Sequence, residues 1–297
     1  MTVFTLTVPA SAANIGPGFD SMGIALKRYL ILHVRKSAHF EFIHDSSFLP
    51  TYIHYTDHFI YKVANQIATK YNKPLSPCQV VIKSNIPLAR GLGSSASAIL
   101  AGIELANQLC NLSLTARKKL NEATNIEGHP DNVTPTLFGG CVISTKSSAE
   151  HLDFIQIPQL NFESILYIPD LEVNTEDARK ALPSYMSHKE AVYASSVSNL
   201  MVAALLKGNY SLAGQMMEKD LFHEPYRAKL IPHYDNIKSE AKRCGAYSTV
   251  ISGAGPTMIS FVPTGKGKSI AQHMKSIFPH YTVEAVNIDE KGLQIKY

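Results

Sequence analysis

The residues best suited to chemistry in this sequence form a glycine- and serine-rich segment, Pro87–Ser97, which reads Pro-Leu-Ala-Arg-Gly-Leu-Gly-Ser-Ser-Ala-Ser. Before it, Gln79–Ile86 has the apolar centre of a buried strand, and after it Ala98–Leu109 repeats its apolar residues at helical spacing. Gly91 and Gly93 permit a tight backbone with positive φ and the close approach of a ligand. A helix N-terminus has unpaired N–H groups and a partial positive charge, so the segment predicts an anion site, most naturally for phosphate.

Two familiar nucleotide-binding motifs are the obvious candidates for this segment. The P-loop requires a lysine directly after its last glycine, and no lysine occurs between Arg90 and Lys118. The dinucleotide fingerprint G-x-G-x-x-A is met literally by Gly91–Ala96, but it needs a second strand ending in an acidic residue about 20 residues later. That stretch instead contains Leu109–Ser113, followed by another predicted helix, Thr115–Ile126. The sequence therefore disfavours a NAD-binding domain.

A second cluster of reactive side chains is Glu127-Gly-His-Pro-Asp-Asn132, which follows the predicted helix Thr115–Ile126. Its glycine and proline are stop signals for that helix. The cluster has no second histidine at ligand spacing, which argues against zinc, whereas Glu127 and Asp131 offer the oxygen ligands that magnesium prefers. After the cluster, Val133–Ile143 is predicted to form a turn and then a strand.

A turn near the N-terminus carries two further polar side chains. Gly16–Gly18 is a Gly-Pro-Gly turn signal, and it is flanked by Asn14 and Asp20. By itself this pattern is typical of a β-turn in which both side chains bond to the local backbone.

The elements that must position these segments are a mixture of strands and helices. In the first half, Val3–Val8 and Ile24–Val34 are predicted strands, and Asp57 is predicted to cap a helix that covers Phe59–Ala68. In the second half, strands are predicted at Ser164–Ile168, Tyr247–Ile251, Met258–Val262 and Val283–Ile288, and helices at Asn174–Leu182, His188–Leu206, Ser211–Met217 and Lys268–Ile277. A shift in composition near Lys146–Ala149 predicts two domains, 1–150 and 151–297.

Length and composition are those of an ordinary globular enzyme. The chain has 297 residues, 45% of them hydrophobic and 18% charged, which is enough for two modest domains. Its net charge of +4 is spread along the chain, which argues against nucleic-acid binding but suits an anionic substrate. No apolar run is long enough to span a membrane, and the four cysteines are dispersed, as in reduced cytosolic proteins. We therefore expect a cytoplasmic protein with neither nucleic-acid nor membrane partners.

Three separated segments together resemble the signature motifs of the GHMP kinase superfamily. They are Pro9–Asp20, Pro87–Ser97 and Ser252–Thr257. Further segments resemble the homoserine kinase family within it, namely Glu127–Asn132, Thr175 with Arg179, and His223–Arg227. The resemblance implies a two-domain α+β GHMP kinase fold, with a ribosomal S5 domain-2-like N-terminal domain and a ferredoxin-like C-terminal domain. It also implies a homodimer that uses ATP and Mg²⁺ to phosphorylate the L-homoserine hydroxyl in threonine biosynthesis.

The resemblance further implies roles for individual residues. ATP is expected to bind the phosphate loop through Pro87, Leu88, Ala89, Arg90, Gly91, Leu92, Gly93, Ser94, Ser95, Ala96 and Ser97. Mg²⁺ is expected on Ser95 and Glu127, and the alternatives Ser94 and Glu122 stay open. The expected catalytic residues are Asn132, Asp131 and Glu127. Asn132 would hold the attacking hydroxyl, and Asp131 would position it rather than act as a base.

The chemistry of homoserine itself indicates which side chains its site requires. Its carboxylate suits the paired guanidinium groups of Arg179 and Arg227, and its ammonium suits Asp20 and Asn14. The resemblance adds Asn132, Thr175 and Gly255 to the expected substrate site. Where relatives often carry asparagine near the base, this chain has Asp57-His-Phe59, so the adenine contacts stay open.

Two alternatives remain besides homoserine phosphorylation. One is another GHMP small-molecule kinase of the mevalonate type, whose substrate has no ammonium group and would leave Asp20 without a partner. The other is a non-enzymatic ATP-binding relative, which would be expected to lose the metal carboxylate or the substrate arginines. Both kinds of side chain are present in this sequence.

Overall fold

The chain forms two β-sheets with helices packed against them. The computed structural model describes residues 2–49, 54–148, 151–157 and 159–297. The strands are β1 (Thr2–Ala13), β2 (Met22–Lys36), β3 (Glu41–His44), β4 (Cys78–Ser84), β5 (Cys141–Lys146), β6 (Leu152–Ile157), β7 (Phe162–Pro169), β8 (Ser248–Ile251), β9 (Met258–Pro263), β10 (Tyr281–Val286) and β11 (Gln294–Lys296). The α-helices are α1 (Phe59–Lys70), α2 (Ser94–Leu109), α3 (Ala116–Glu127), α4 (Val133–Phe138), α5 (Thr175–Lys180), α6 (His188–Leu206), α7 (Tyr210–Met217), α8 (Glu224–Arg227), α9 (Tyr234–Arg243) and α10 (Gly267–Ile277). None of the helices in these ranges has the length and apolar character needed to cross a membrane.

The first sheet has seven strands and holds the phosphate-loop helix against its face. Its main order is β11-β1-β2-β4-β3, while β5 pairs with β2 and β6 pairs with β5. In β2, Leu30, Leu32 and Val34 are buried and alternate with less buried side chains, as expected for a strand with one face on the core. Helix α2 contacts α1, α3, α4 and β1, so it is apolar on most sides rather than along one stripe.

The second sheet has four antiparallel strands in the order β10-β7-β9-β8. Helices α5 to α9 lie between β7 and β8, and α10 lies between β9 and β10. This is the βαββαβ order of strands and helices. The predicted boundary at residue 150 lies outside the described residues. Because β6 belongs to the first sheet and the last strand, β11, returns to pair with β1, the boundary stays a prediction.

Two local predictions are wrong. Residues 133–138 form helix α4 rather than a turn, and the following strand begins at Cys141. Pro135 is accommodated because the first turn of a helix has N–H groups without helical acceptors, so a missing N–H costs little there. Helix α1 is capped by His58 rather than Asp57, since Nδ1 of His58 accepts a hydrogen bond from the N–H of Ile60.

Candidate active site

The loops between the two sheets enclose a cavity of about 260 Å³. The predicted site residues that line it are Asn14, Asp20, Ala89, Gly91, Gly93, Ser94, Ser95, Glu127, Asp131, Asn132, Arg179, Arg227 and Gly255. The structure thus brings together residues that are more than 200 positions apart in the chain, as the separate motifs predicted. Thr175 begins helix α5, but its side chain lies outside the described residues.

The phosphate loop leads into the N-terminus of α2, where Gly93 is the N-cap residue and has a φ of 66°. A Cβ on Gly93 would lie 2.1 Å from Oγ of Ser11, and one on Gly91 would lie 2.3 Å from the carbonyl oxygen of Ser252. Both glycines are therefore required by packing against the protein itself. The sequence predicted that these glycines leave room for a ligand, and it did not predict these close contacts with Ser11 and Ser252.

The side chains of the loop divide into two groups. Ser94 and Ser95 line the cavity, whereas Leu92 and Ala96 are buried in the hydrophobic core. The hydroxyl of Ser97 is buried and lies 2.9 Å from the carbonyl oxygen of Pro9.

The guanidinium of Arg90 points towards the end of β7 rather than into the cavity. It lies 3.0 Å from a carboxylate oxygen of Glu172, and its Nε donates to the carbonyl oxygen of Pro169. The roles of Arg90 and Ser97 in nucleotide binding stay predictions.

Ser95 and Glu127 form the oxygen pair that the sequence proposed for a metal. Oγ of Ser95 donates to Oε2 of Glu127 over 2.7 Å. Burial raises the pKa of Glu127, and the hydrogen bond from Ser95 partly opposes that rise. Glu122, the alternative, instead pairs with Lys70 at 2.7 Å and accepts from the hydroxyl of Tyr71. Of the two carboxylates, Glu127 is therefore the one beside the phosphate loop.

Asp131 and Asn132 lie at the start of α4 with their side chains held by neighbours. Oδ1 of Asp131 accepts from the backbone N–H of Asn132 and contacts Nδ1 of His129. Burial alone would lower the pKa of His129, but the hydrogen bond with Asp131 and the nearby carboxylates raise it overall. Oδ1 of Asn132 accepts from Oγ of Ser11 over 2.9 Å, which leaves its amide group as a donor at the cavity.

The charged groups expected to bind an amino acid lie close together in the wall of the cavity. Arg179 donates two hydrogen bonds to Asp20, over 2.9 and 3.1 Å. Arg227 is buried and donates Nε to the carbonyl oxygen of Ala178 and Nη1 to that of Gly253. Burial and then the charge of Arg179 lower the pKa of Arg227 to about 10, so it remains a cation at neutral pH.

Asn14 serves mainly to hold two loops together. Its Nδ2 donates to the carbonyl oxygen of Gly253 over 2.8 Å, and its Oδ1 accepts from the backbone N–H of Asp20. The bond to Asp20 is the local backbone bond that a turn would need and positions Asp20, whereas the bond to Gly253 connects the turn to a distant loop. Its contact with a substrate ammonium stays a prediction.

Comparison with known proteins places this geometry in a family. The GHMP kinase N-terminal domain model matches residues 58–140, and the GHMP kinase C-terminal model matches residues 201–280. The chain is 48% identical to the homoserine kinase of Oceanobacillus iheyensis, with 100% of both chains covered. It is 44% identical to that of Bacillus licheniformis, with 99% of this chain and 96% of the relative covered. The chain belongs to the homoserine kinase family of GHMP kinases.

The fold comparison agrees with this family. A solved homoserine kinase from Cytophaga hutchinsonii superposes with a TM-score of 0.84 at 27% identity, covering 99% of this chain and 97% of that one. The predicted two-domain GHMP kinase fold is therefore confirmed. In this fold the three signature segments, which are far apart in the sequence, all contribute residues to one cavity.

A second cavity of about 280 Å³ adjoins the first one in this homoserine kinase fold and shares Ser94 and Ser95 with it. Its other walls are mostly apolar and are provided by Leu30, Leu49, Phe59, Ile60, Ile82, Ile86, Leu88 and Ala98, with Ser84 and Ser97 also lining the cavity. His58 and His44 form its polar edge, with their Nε2 atoms 2.8 Å apart. The sequence left the adenine contacts open because Asp57-His-Phe59 stands where relatives often carry asparagine. Of this segment, His58 and Phe59 line the second cavity.

Among the side chains of the first cavity, those of Phe19, His129 and Val173 were given no role from the sequence. His129 lies inside the recognised segment Glu127–Asn132, but no role was predicted for it. Phe19 stands between Gly18 and Asp20 in the first motif and also lines the cavity. Its place directly after the Gly-Pro-Gly turn and before an acidic residue is the sequence signal that could have indicated Phe19.

Proposed function

We propose that this protein transfers the γ-phosphate of ATP to the side-chain hydroxyl of L-homoserine, forming ADP and O-phospho-L-homoserine for threonine biosynthesis. The observation that carries the proposal is the arrangement of charge in the first cavity. Asp20 offers a contact for an ammonium, and its hydrogen-bonded neighbour Arg179 together with Arg227 offers contacts for a carboxylate. The phosphate loop closes the same cavity, so the amino acid and the phosphate would meet there.

The nucleotide would span both cavities. The base would occupy the mostly apolar second cavity, and the phosphates would reach the N-terminus of α2, where unpaired N–H groups favour an anion. Ser94 and Ser95 border both spaces and mark the passage between them. This placement accounts for a nucleoside site that the sequence left open.

Mg²⁺ fits the oxygen pair formed by Ser95 and Glu127. A hydroxyl and a carboxylate 2.7 Å apart beside the phosphate loop are hard oxygen donors suited to this ion. When bound, the ion would neutralise charge on the phosphate oxygens during transfer. Its presence and its ligands are part of the proposal.

The amino acid would be oriented by its two charges and its hydroxyl. Its carboxylate would take the guanidinium groups of Arg179 and Arg227, and its ammonium would take Asp20. The amide of Asn132 would donate to the hydroxyl oxygen and hold it towards the γ-phosphorus. As the new O–P bond forms, the bond to the β–γ bridging oxygen breaks. The hydroxyl proton leaves to a phosphoryl oxygen or to water, since His129 and the N–H of Asn132 already engage Asp131.

We also propose a cytoplasmic homodimer. All four cysteines are free thiols, as expected for a reducing compartment. Helix α6 exposes Val192, Tyr193, Leu200 and Leu206, which offers an apolar surface for a second copy. Analytical ultracentrifugation of wild type and of Leu200→Glu would test the dimer, and a monomeric wild type would contradict it.

The test of the activity is a coupled ADP-release assay with L-homoserine, mevalonate and galactose, each with and without Mg²⁺. We expect ADP release with homoserine and Mg²⁺ alone among these combinations. Release with mevalonate but not with homoserine would overturn the proposed substrate. ATP binding without turnover of any of the three would favour the non-enzymatic alternative.

A further inference from the structure

Phe19 lies against both arginines of the proposed carboxylate site. The guanidinium carbon of Arg227 is 5.3 Å from the centroid of the Phe19 ring, and that of Arg179 is 5.7 Å from it. Both distances fall within the range in which the negative face of an aromatic ring attracts a cation. A third ring, that of His223, stacks on Phe19 with centroids 5.6 Å apart and is itself fully buried.

The two guanidinium groups need such support because their charges repel each other. Arg227 is 2% exposed, and its lowered pKa reflects both burial and the charge of Arg179. Asp20 is hydrogen-bonded to Arg179. The hydrogen-bond acceptors of Arg227 are the carbonyl oxygens of Ala178 and Gly253, and the negative charges of Asp20, Asp131 and Asp220 only partly oppose the lowering of its pKa by burial and by Arg179. Holding two cations close together in a half-buried site is unfavourable unless other groups offset the repulsion.

An aromatic ring offsets that repulsion without competing for the ligand. A carboxylate placed beside both arginines would neutralise them and occupy the N–H donors that the substrate requires. A phenyl ring has no hydrogen-bond acceptor in its plane and attracts a cation through its face. The ring itself therefore takes up none of the N–H donors in the plane of each guanidinium.

We propose that Phe19 is a positioning residue that keeps Arg179 and Arg227 close together and ready for the substrate carboxylate. His223 is held by a hydrogen bond to the carbonyl oxygen of Gly16, and its ring stacks on the ring of Phe19 and keeps that ring in place. The inference rests on the proposed function because it takes the carboxylate of the amino acid as the ligand of the two arginines.

The test varies the electron density of the Phe19 ring while leaving its size nearly unchanged. Phe19 is replaced by 4-fluoro-, 3,5-difluoro- and 3,4,5-trifluorophenylalanine, since each fluorine weakens the attraction of the ring face for a cation. The matched control places the same residues at Phe162, which packs on Phe261 and Tyr210 in the second sheet. Steady-state kinetics give KM for homoserine, KM for ATP and kcat for each protein.

We expect KM for homoserine to rise with each added fluorine at Phe19 and to stay constant in the Phe162 series. KM for ATP and kcat should change by less than about twofold, because the ring acts through the arginines that hold the carboxylate. Phe19→Leu should raise KM for homoserine about 5- to 30-fold, and Phe19→Tyr should restore most of the wild-type value. A purely structural role would give no trend with fluorination.

The outcomes separate this inference from the proposed function. If the wild-type protein phosphorylates homoserine and KM is the same across the fluorinated Phe19 series, the role of Phe19 is wrong and the proposed function stands. If KM for ATP rises with fluorination while KM for homoserine does not, the arginines serve the nucleotide and the inference is again wrong. Absence of homoserine turnover by the wild type would overturn both.

Discussion

Asp20 and Arg179 join the turn that follows β1 to helix α5 through two hydrogen bonds of 3.1 and 2.9 Å. The carboxylate and the guanidinium are the two charges that an amino-acid zwitterion would meet. A bound homoserine would place its ammonium against Asp20 and its carboxylate against Arg179. The contact between Asp20 and Arg179 would then be replaced by one contact of each residue with the substrate. The ion pair therefore holds the turn and helix α5 next to each other before any ligand enters the substrate site.

Arg179→Ala should weaken the use of homoserine far more than that of ATP. The loss of a charged hydrogen bond costs about 1.5–3 kcal/mol, which corresponds to about 10- to 150-fold in KM for homoserine. The matched control is Lys180→Ala, the next residue of α5, whose ion pairs with Glu176 and Asp177 lie at the surface. Kinetics in which each substrate is varied in turn provide the measurement. A higher KM for ATP with an unchanged KM for homoserine would place this arginine in the nucleotide site.

Glu127→Gln should lower the affinity for Mg²⁺, whereas Glu122→Gln should leave it unchanged. Removal of the charge beside Ser95 takes away one hard ligand, and we expect the Mg²⁺ concentration for half-maximal activity to rise by about 10- to 100-fold. Glu122 pairs with Lys70 instead, which makes it a control of equal chemistry. A titration of activity with Mg²⁺ compares the two variants. Equal effects would show that Glu127 has no special place among the ligands.

Ala98→Leu should obstruct the second cavity and raise KM for ATP by at least about tenfold while homoserine binding is retained. Ala98 lines this cavity from helix α2, where leucine is also compatible with the helix. Ala98→Ser adds a single heavy atom and provides the control. Nucleotide affinity measured by calorimetry would decide the matter, and an unchanged value for the leucine variant would remove the base from this cavity.

His58 should make the protein less stable in mild acid. Burial, and to a lesser degree the neighbouring His44, lower the pKa of His58 to about 4, against an ordinary value of 6.5. Between these values the unfolded chain binds a proton that the folded chain does not, so the free energy of unfolding rises with pH across this window and falls as pH decreases. From pH 7.5 to pH 5 the loss should be about 2 kcal/mol.

Urea unfolding at both pH values measures this loss. His58→Asn keeps a side chain that can cap α1 and should remove most of the loss. His39→Asn replaces an exposed histidine and should not. The same pH dependence in wild type and in His58→Asn would contradict the assignment.

Much of the site was predictable because most of its residues lie in short sequence segments with recognisable local patterns. The sequence around Gly91 and Gly93 already combines a strand, a tight turn and a helix N-terminus, which are local properties of the backbone. The preference for Glu127 over Glu122 came from the family resemblance and not from the residues themselves. Its physical basis is the pairing of Glu122 with Lys70 and Tyr71, which holds Glu122 away from the loop. That contact joins two helices far apart in the sequence.

The remaining surprises also arise from long-range contacts. Helix α4 contains Pro135, and a proline in this segment predicts a turn unless it is known to lie in the first turn of a helix. The apolar second cavity collects residues from β2, β4, α1 and α2, and of these only the residues at the start of α2 belong to a motif. The contacts of Phe19 with two arginines in α5 and α8 likewise exist only after the sheets are assembled.

The pairing of β11 with β1 has a consequence for how the protein is made. The last strand, Gln294–Lys296, completes an edge of the sheet that contains the first strand, and Asp289 and Leu293 also bond to residues of the first half. During synthesis the N-terminal half therefore emerges from the ribosome with the β1 edge unpaired, and it must wait for the final residues of the chain. A fragment that ends between the two sheets would keep that open edge permanently and would be prone to aggregate, so the complete first sheet can form only after residues 294–296 have been synthesised.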